Sequence, residues 1–187
     1  TMDQIFQKIQ ELVDIGGTQV LIQGGVNPDL GLDFYLDMIS RVHERFPQVH
    51  IHSLSVVEID FIAKKEKMPL RDVLIKLKEA GLNSIPGGGA EILVERVRDI
   101  ISPKKIDSDG WLNFHRVAHQ VGFRSTATMV FGHVETIEER VIHLEKIRNV
   151  QDETSGFRAF IPWTLSPHGT PRMSQFEPAG GAEYLKT

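Results

Sequence analysis

The chain has 187 residues, 41% of them hydrophobic and 25% charged, with a formal net charge of -4. That is enough for one domain with a real core, and it provides no electrostatic pull toward nucleic acid or an anionic membrane. No apolar run approaches the roughly 18 residues of a membrane span, no signal-peptide pattern opens the chain, and the expected compartment is the cytoplasm.

Thr1 and Gln4 stand three apart, as a capping box requires, and Ile5, Ile9, Leu12 and Val13 follow at helical spacing. Gly16-Gly17 ends this helix, and T-Q-V-L-I-Q predicts a buried strand over 18–23 that stops at Gly24-Gly25. Asp33 to Phe46 reads as a helix, then V-H-I-H-S-L as a strand over 49–54. Asp60 to Ala80 carries two helical pieces split near Met68-Pro69, followed by a strand over 82–86 that runs into Gly87-Gly88-Gly89. Helices are expected over Ala90 to Ile101, Asp107 to Val121 and Ile137 to Val150, with strands over 125–131 and 157–161 between and after them. Strict alternation of strand and helix predicts a parallel sheet with right-handed crossovers. No G-x-G-x-x-G follows the first strand, which disfavours a dinucleotide fold, and glycine and polar residues cluster after nearly every strand, as at the mouth of a (β/α) barrel. Five strands do not close an eight-strand barrel.

Four strand ends carry candidate chemistry. Gln23-Gly24-Gly25 bares backbone to a ligand, or is a plain turn. His50 and His52 alternate by two and share a strand face. They form either a hydrogen-bonded pair or the start of a metal-dependent hydrolase site, with His133 and His168 as the only further histidines in register. Gly87-Gly88-Gly89 before a predicted helix reads as an anion or ribose cradle, with Glu91 expected in the first helical turn, where it suits the helix dipole. S-T-A-T-M-V-F-G-H-V-E-T closes a strand on Gly132, His133 and Glu135. These read as a ligand pocket, or as a core histidine and a carboxylate beside a Thr136 cap.

Seven stretches in order, Q-G-G-V-N-P-D-L, I-H-I-H-S-L-S, P-G-G-G-A-E-I-L, I-S-P-K-K, T-A-T-M-V-F-G-H-V-E-T, Q-D-E-T-S-G-F and F-I-P-W, resemble the cyclic dehypoxanthinyl futalosine synthase family. These are radical S-adenosylmethionine enzymes of menaquinone biosynthesis by the futalosine route. The resemblance runs from about Ile5 to Pro171. Its sister families are aminofutalosine synthase and the deazaflavin-cofactor synthase subunits. Val26-Asn27-Pro28 and Trp163 are more like the cyclase than the sisters.

The resemblance implies strands two to six of a radical SAM (β/α) barrel over residues 1–175, with 176–187 as the start of a C-terminal extension. It implies S-adenosylmethionine contacts at Gln23, Gly24, Gly25, Glu91, Thr128, Val130, Gly132, Glu135 and Ile161. His52, Ser53, Thr126, His133 and Trp163 become the expected contacts of a nucleoside-type substrate. The family's 4Fe–4S cluster is held by a Cys-x-x-x-Cys-x-x-Cys loop, expected to precede Thr1; this chain has no cysteine, so no metal ligand is expected within it. The implied chemistry is removal of a ribose hydrogen by a 5′-deoxyadenosyl radical, ring closure onto the benzoate, and loss of an electron and a proton. The chain alone is expected to be inactive. A non-catalytic barrel fragment that binds a nucleoside is the alternative, with self-association through open barrel edges.

Overall fold

The computed structural model describes residues 1–166, 176 and 179–187. The elements run α1 (Met2–Asp14), β1 (Gln19–Ile22), α2 (Leu32–Arg45), β2 (His50–Ser53), α3 (Val56–Glu66), α4 (Leu70–Glu79), β3 (Ser84–Ile85), α5 (Glu95–Ile101), α6 (Ser108–Gln120), β4 (Arg124–Phe131), α7 (Ile137–Thr154), β5 (Phe157–Thr164) and α8 (Gly181–Tyr184). All four strand pairings are parallel, and spatial order equals chain order, β1-β2-β3-β4-β5. A doubly wound sheet reverses direction at a switch point; this one does not. The result is an arc of a (β/α) barrel, with β1 and β5 as its two edges.

The capping box at Thr1 and Gln4 forms as expected and starts α1. Ser55 and Glu58 make a second box at α3, and Thr136 and Glu139 a third at α7. Pro69, N-cap of α4, explains the break between the two helices after β2. Ile51, Ala127, Met129 and Phe131 point from the sheet toward the helices and are fully buried. The alternate positions, among them His50, His52, Thr126, Thr128 and Val130, form the half-buried inner face. The main core lies between sheet and helices, around Ile51, Val73, Leu77, Ile85, Trp111 and Phe114. No helix among the described residues is long and apolar enough to cross a membrane.

Three local expectations are corrected. β3 is two residues long, because the Asn83 side chain takes the Ile51 amide at 2.7 Å and Pro86 has no amide to continue the ladder. β5 runs on to Thr164, since Pro162 is tolerated on an edge strand. The helix expected from Ala90 starts at Glu95, with Val94 as N-cap. The carbonyl of Ala90 is taken instead by buried Arg98 at 2.5 Å, and Glu91 sits in the left-handed region at φ 45°. The triglycine turn is therefore not a helix N-terminus, and Glu91 does not sit in a first helical turn. His168 and the boundary expected at residue 175 lie outside the described residues.

Candidate functional site

A cavity of about 430 Å³ opens at the C-terminal ends of the strands. Of the expected cofactor contacts, Gln23, Glu91, Thr128, Val130 and Ile161 line it; of the expected substrate contacts, His52, Thr126 and Trp163 do. Its lining mixes apolar side chains, Leu21, Val130, Ile161 and Trp163, with polar ones, Gln23, His52, Glu91 and the two threonines, and they alternate across neighbouring strands, Leu21 beside His52 and Thr128 beside Ile161. A flat base and a hydroxylated sugar need surfaces of these two kinds.

The two threonines are fixed by contacts to the Gly87 backbone. Gly87 N–H donates to Thr126 Oγ1 at 2.9 Å, and Thr128 Oγ1 donates to Gly87 O at 2.7 Å. Thr126 thus keeps a proton to give a ligand, while Thr128 keeps lone pairs. Gly87 must be glycine, because a Cβ there would lie 2.1 Å from Thr126 O. Beyond it, Arg98 is 2% exposed and ties the carbonyls of Gly89 and Ala90 to that of Ile106. Burial pulls its guanidinium pKa down, against nearby Glu91, Glu95 and Asp107. Lys105, from the same loop, pairs with Glu91 at the cavity rim.

Gly24 and Gly25 flank Gln23 but do not themselves line the cavity. Their amides are occupied: Glu58 Oε1 accepts from both, at 2.9 and 3.0 Å, while Glu58 Oε2 holds the Ser55 amide at 2.7 Å. Sequence reasoning missed Glu58, although Ser55-x-x-Glu58 is a readable capping box. It also missed Arg98, which has no sequence signal.

The remaining candidates turn away. Ser53 faces the helices and donates to Ile22 O at 2.5 Å. The side chains of His133 and Glu135 are fully buried beneath the turn after β4. Glu135 accepts from the amides of Gly132, at 2.6 Å, and His133, at 2.9 Å, and pairs with Arg140. Burial pushes the Glu135 carboxyl up, but hydrogen bonds from the His133 side chain and the two amides outweigh it and hold the pKa at about 2. His133 Nε2 meets Val130 O at 2.8 Å. These residues shape the turn that presents Val130 and do not contact the cavity. Gly132 has φ 85° and backs onto Ala179, so its role is also in the turn.

His50 and His52 share one serine: Ser84 Oγ lies 2.7 Å from His50 Nε2 and 2.6 Å from His52 Nδ1. Burial, the neighbouring imidazole and Arg158 all lower the His52 pKa. No group of three metal-ligating side chains occurs among the described residues; His168, the other candidate for that reading, lies outside them.

The sequence signature of the radical SAM superfamily matches residues 1–147. The chain is 48% identical over 182 residues to a cyclic dehypoxanthine futalosine synthase of Halalkalibacterium halodurans, covering 97% of this chain and 49% of the relative. It is 42% identical over 168 residues to an aminodeoxyfutalosine synthase of Thermus thermophilus, covering 90% and 45%. It is 40% identical over 171 residues to a 5-amino-6-(D-ribitylamino)uracil–L-tyrosine 4-hydroxyphenyl transferase of Methanosarcina mazei, covering 91% and 46%. The chain thus spans about half the length of these relatives. In fold it is similar to the crystal structure of methylornithine synthase, with a TM-score of 0.71 at 18% identity over 98% of this chain and 50% of the other. The chain belongs to the radical SAM superfamily.

Proposed function

We propose that these residues form the S-adenosylmethionine and substrate half of a cytoplasmic enzyme that cyclises dehypoxanthine futalosine on the route to menaquinone. The observation that carries this reading is the cavity at the strand ends, lined by both apolar and polar side chains with Trp163 among them. The identity to a cyclic dehypoxanthine futalosine synthase exceeds that to the two sister activities.

The cavity fits the cofactor. Val130 and Ile161 offer an adenine ring apolar contact, and Thr126 and Thr128 offer a ribose one donor and one acceptor. When bound beside a reduced 4Fe–4S cluster, S-adenosylmethionine supplies a carbon radical that removes hydrogen from substrate. The chain does not fit the cluster itself, because it contains no cysteine, and no step is assigned to its residues through that group. They hold the two nucleosides side by side and exclude water.

The test is anaerobic assay of the protein joined to a cluster-bearing segment, with dehypoxanthine futalosine as substrate. Formation of the cyclic product supports the reading. Turnover only with the substrates of the sister enzymes contradicts it.

A further inference from the structure

We propose that His52, Ser84 and His50 form a proton relay, in which His52 Nε2 takes a proton from the molecule in the cavity and His50 releases it at the other end of the sheet. This rests on the functional reading above, in which the ring regains aromaticity by losing an electron and a proton; the relay carries the proton alone.

The three groups lie in a row along the inner face. His52 lines the cavity and makes its one side-chain hydrogen bond, among the described residues, through Nδ1 to Ser84 Oγ at 2.6 Å. Its Nε2 is left for a ligand. Ser84 is 1% exposed, and its hydroxyl is shared with His50 Nε2 at 2.7 Å. Arg158, on β5, approaches the same His50 nitrogen at 3.4 Å and has only protons to offer. That sets the polarity of the chain. His50 Nε2 is an acceptor, Ser84 Oγ donates to it, and His52 Nδ1–H donates to Ser84. The lone pair of His52 then lies on Nε2.

The transfer balances. The ligand C–H bond breaks with its electron pair staying on the ligand, and a new N–H bond forms at His52 Nε2. The Nδ1 proton of His52 passes to Ser84 Oγ as the serine proton passes to His50 Nε2. Arg158 disfavours a second positive charge at His50, so the His50 Nδ1 proton leaves to solvent from this half-buried ring. Among the described residues, Arg158 is the charged group that acts on both imidazoles, and His50 also acts on His52.

A second His–Ser–His chain in the molecule shows what a purely structural one looks like. His115 Nδ1, Ser125 Oγ and His119 Nε2 stand 2.9 and 2.8 Å apart, and the chain continues through Thr154 to the Val150 carbonyl. It ends on a backbone acceptor at one end and on a buried, unpartnered His115 Nε2 at the other. The inner-face chain differs in that its free nitrogen belongs to His52, which lines the cavity.

Two measurements decide this. In the 187-residue chain, two-bond proton–nitrogen NMR correlations report imidazole tautomers. Both His52 and His50 are expected as Nδ1–H tautomers near pH 7, with the His52 preference lost in Ser84→Ala and the fold retained. His52 as the Nε2–H tautomer, or indifferent to Ser84→Ala, would overturn the relay. In the cluster-bearing protein, His52→Gln should lower product formation roughly 100-fold and Ser84→Ala about ten-fold, with 5′-deoxyadenosine still formed. Wild-type product rates in both variants would overturn it. Absence of any product from the unsubstituted protein would remove the functional reading, and the tautomer measurement would still decide the relay.

Discussion

Glu58 and Gly25 lie 33 residues apart, yet Glu58 Oε1 accepts the Gly25 amide at 3.0 Å and the Gly24 amide at 2.9 Å with the same oxygen. One carboxylate thus closes the cap of α3 and pins the turn after β1. Removing it strands the buried amide and hydroxyl of Ser55 and releases the two glycine amides. Glu58→Ala should cost roughly 3 kcal/mol of stability and weaken S-adenosylmethionine binding. Glu58→Gln keeps one acceptor oxygen, which serves the glycine pair or the Ser55 amide but not both. It should fall between wild type and Glu58→Ala in chemical denaturation. Equal stability of all three proteins would contradict this role.

The glycines separate into two kinds. At Gly87 a Cβ meets backbone of β4 at 2.1 Å, so Gly87→Ala should destabilise by about 2–3 kcal/mol and distort the threonine wall. At Gly25 a Cβ meets nothing within 4 Å, but φ is 71°. Gly25→Val should therefore fail through backbone strain in the turn rather than through a clash, with loss of turnover in the cluster-bearing protein. Gly24→Ala, with open space and ordinary φ, should fold with wild-type stability. Denaturant midpoints for the three variants check the order.

Strands, parallel order and the strand-end location of the site are all legible in the sequence, because period-two apolar runs alternating with helical ones leave few topologies. The side chains that turn inward are legible only in part. His52, Thr126, Thr128 and Val130 follow from strand alternation, and so does the outward face of Ser53, which was nevertheless expected in the site. His133 was misplaced because a glycine at φ 85° reverses the chain just before it and alternation no longer applies. Glu91 was expected in a helix because Ala-Glu-Ile-Leu has helical propensity, and the carbonyl-binding Arg98 overrides it from eight residues away. Long-range hydrogen bonds of that kind leave no periodic trace.

Acid should unfold the protein in two overlapping stages. Burial lowers His119 to about 4 and His143 to about 3, and pushes buried His115 well below its ordinary 6.5. The unfolded chain therefore binds more protons than the folded one below about pH 6.5, and stability falls as pH drops through that window. Glu135 adds stability above its ordinary 4.5 that is lost as pH falls toward 2. The thermal midpoint should decline steadily from pH 7 to 4, and less steeply in His119→Gln. A flat profile over that range would contradict the buried neutral state of these histidines.

The 187-residue chain should generate no 5′-deoxyadenosine after anaerobic treatment with iron, sulfide and a reductant, because it offers no thiolate to a cluster. Activity should appear when a three-cysteine segment is joined to it. Product from the chain alone would contradict this.

The claim that the strand-end cavity is an adenosyl site is tested most directly by titrating the 187-residue chain with S-adenosylmethionine while following backbone amide shifts. Without a cluster to chelate the methionine end, the expected dissociation constant is on the order of 1 mM. The shifts should concentrate at Gly88, Glu91, Val130, Ile161 and Trp163 and vanish in Val130→Asp. Shifts confined to the outer helices, or none at several millimolar ligand, would contradict the account.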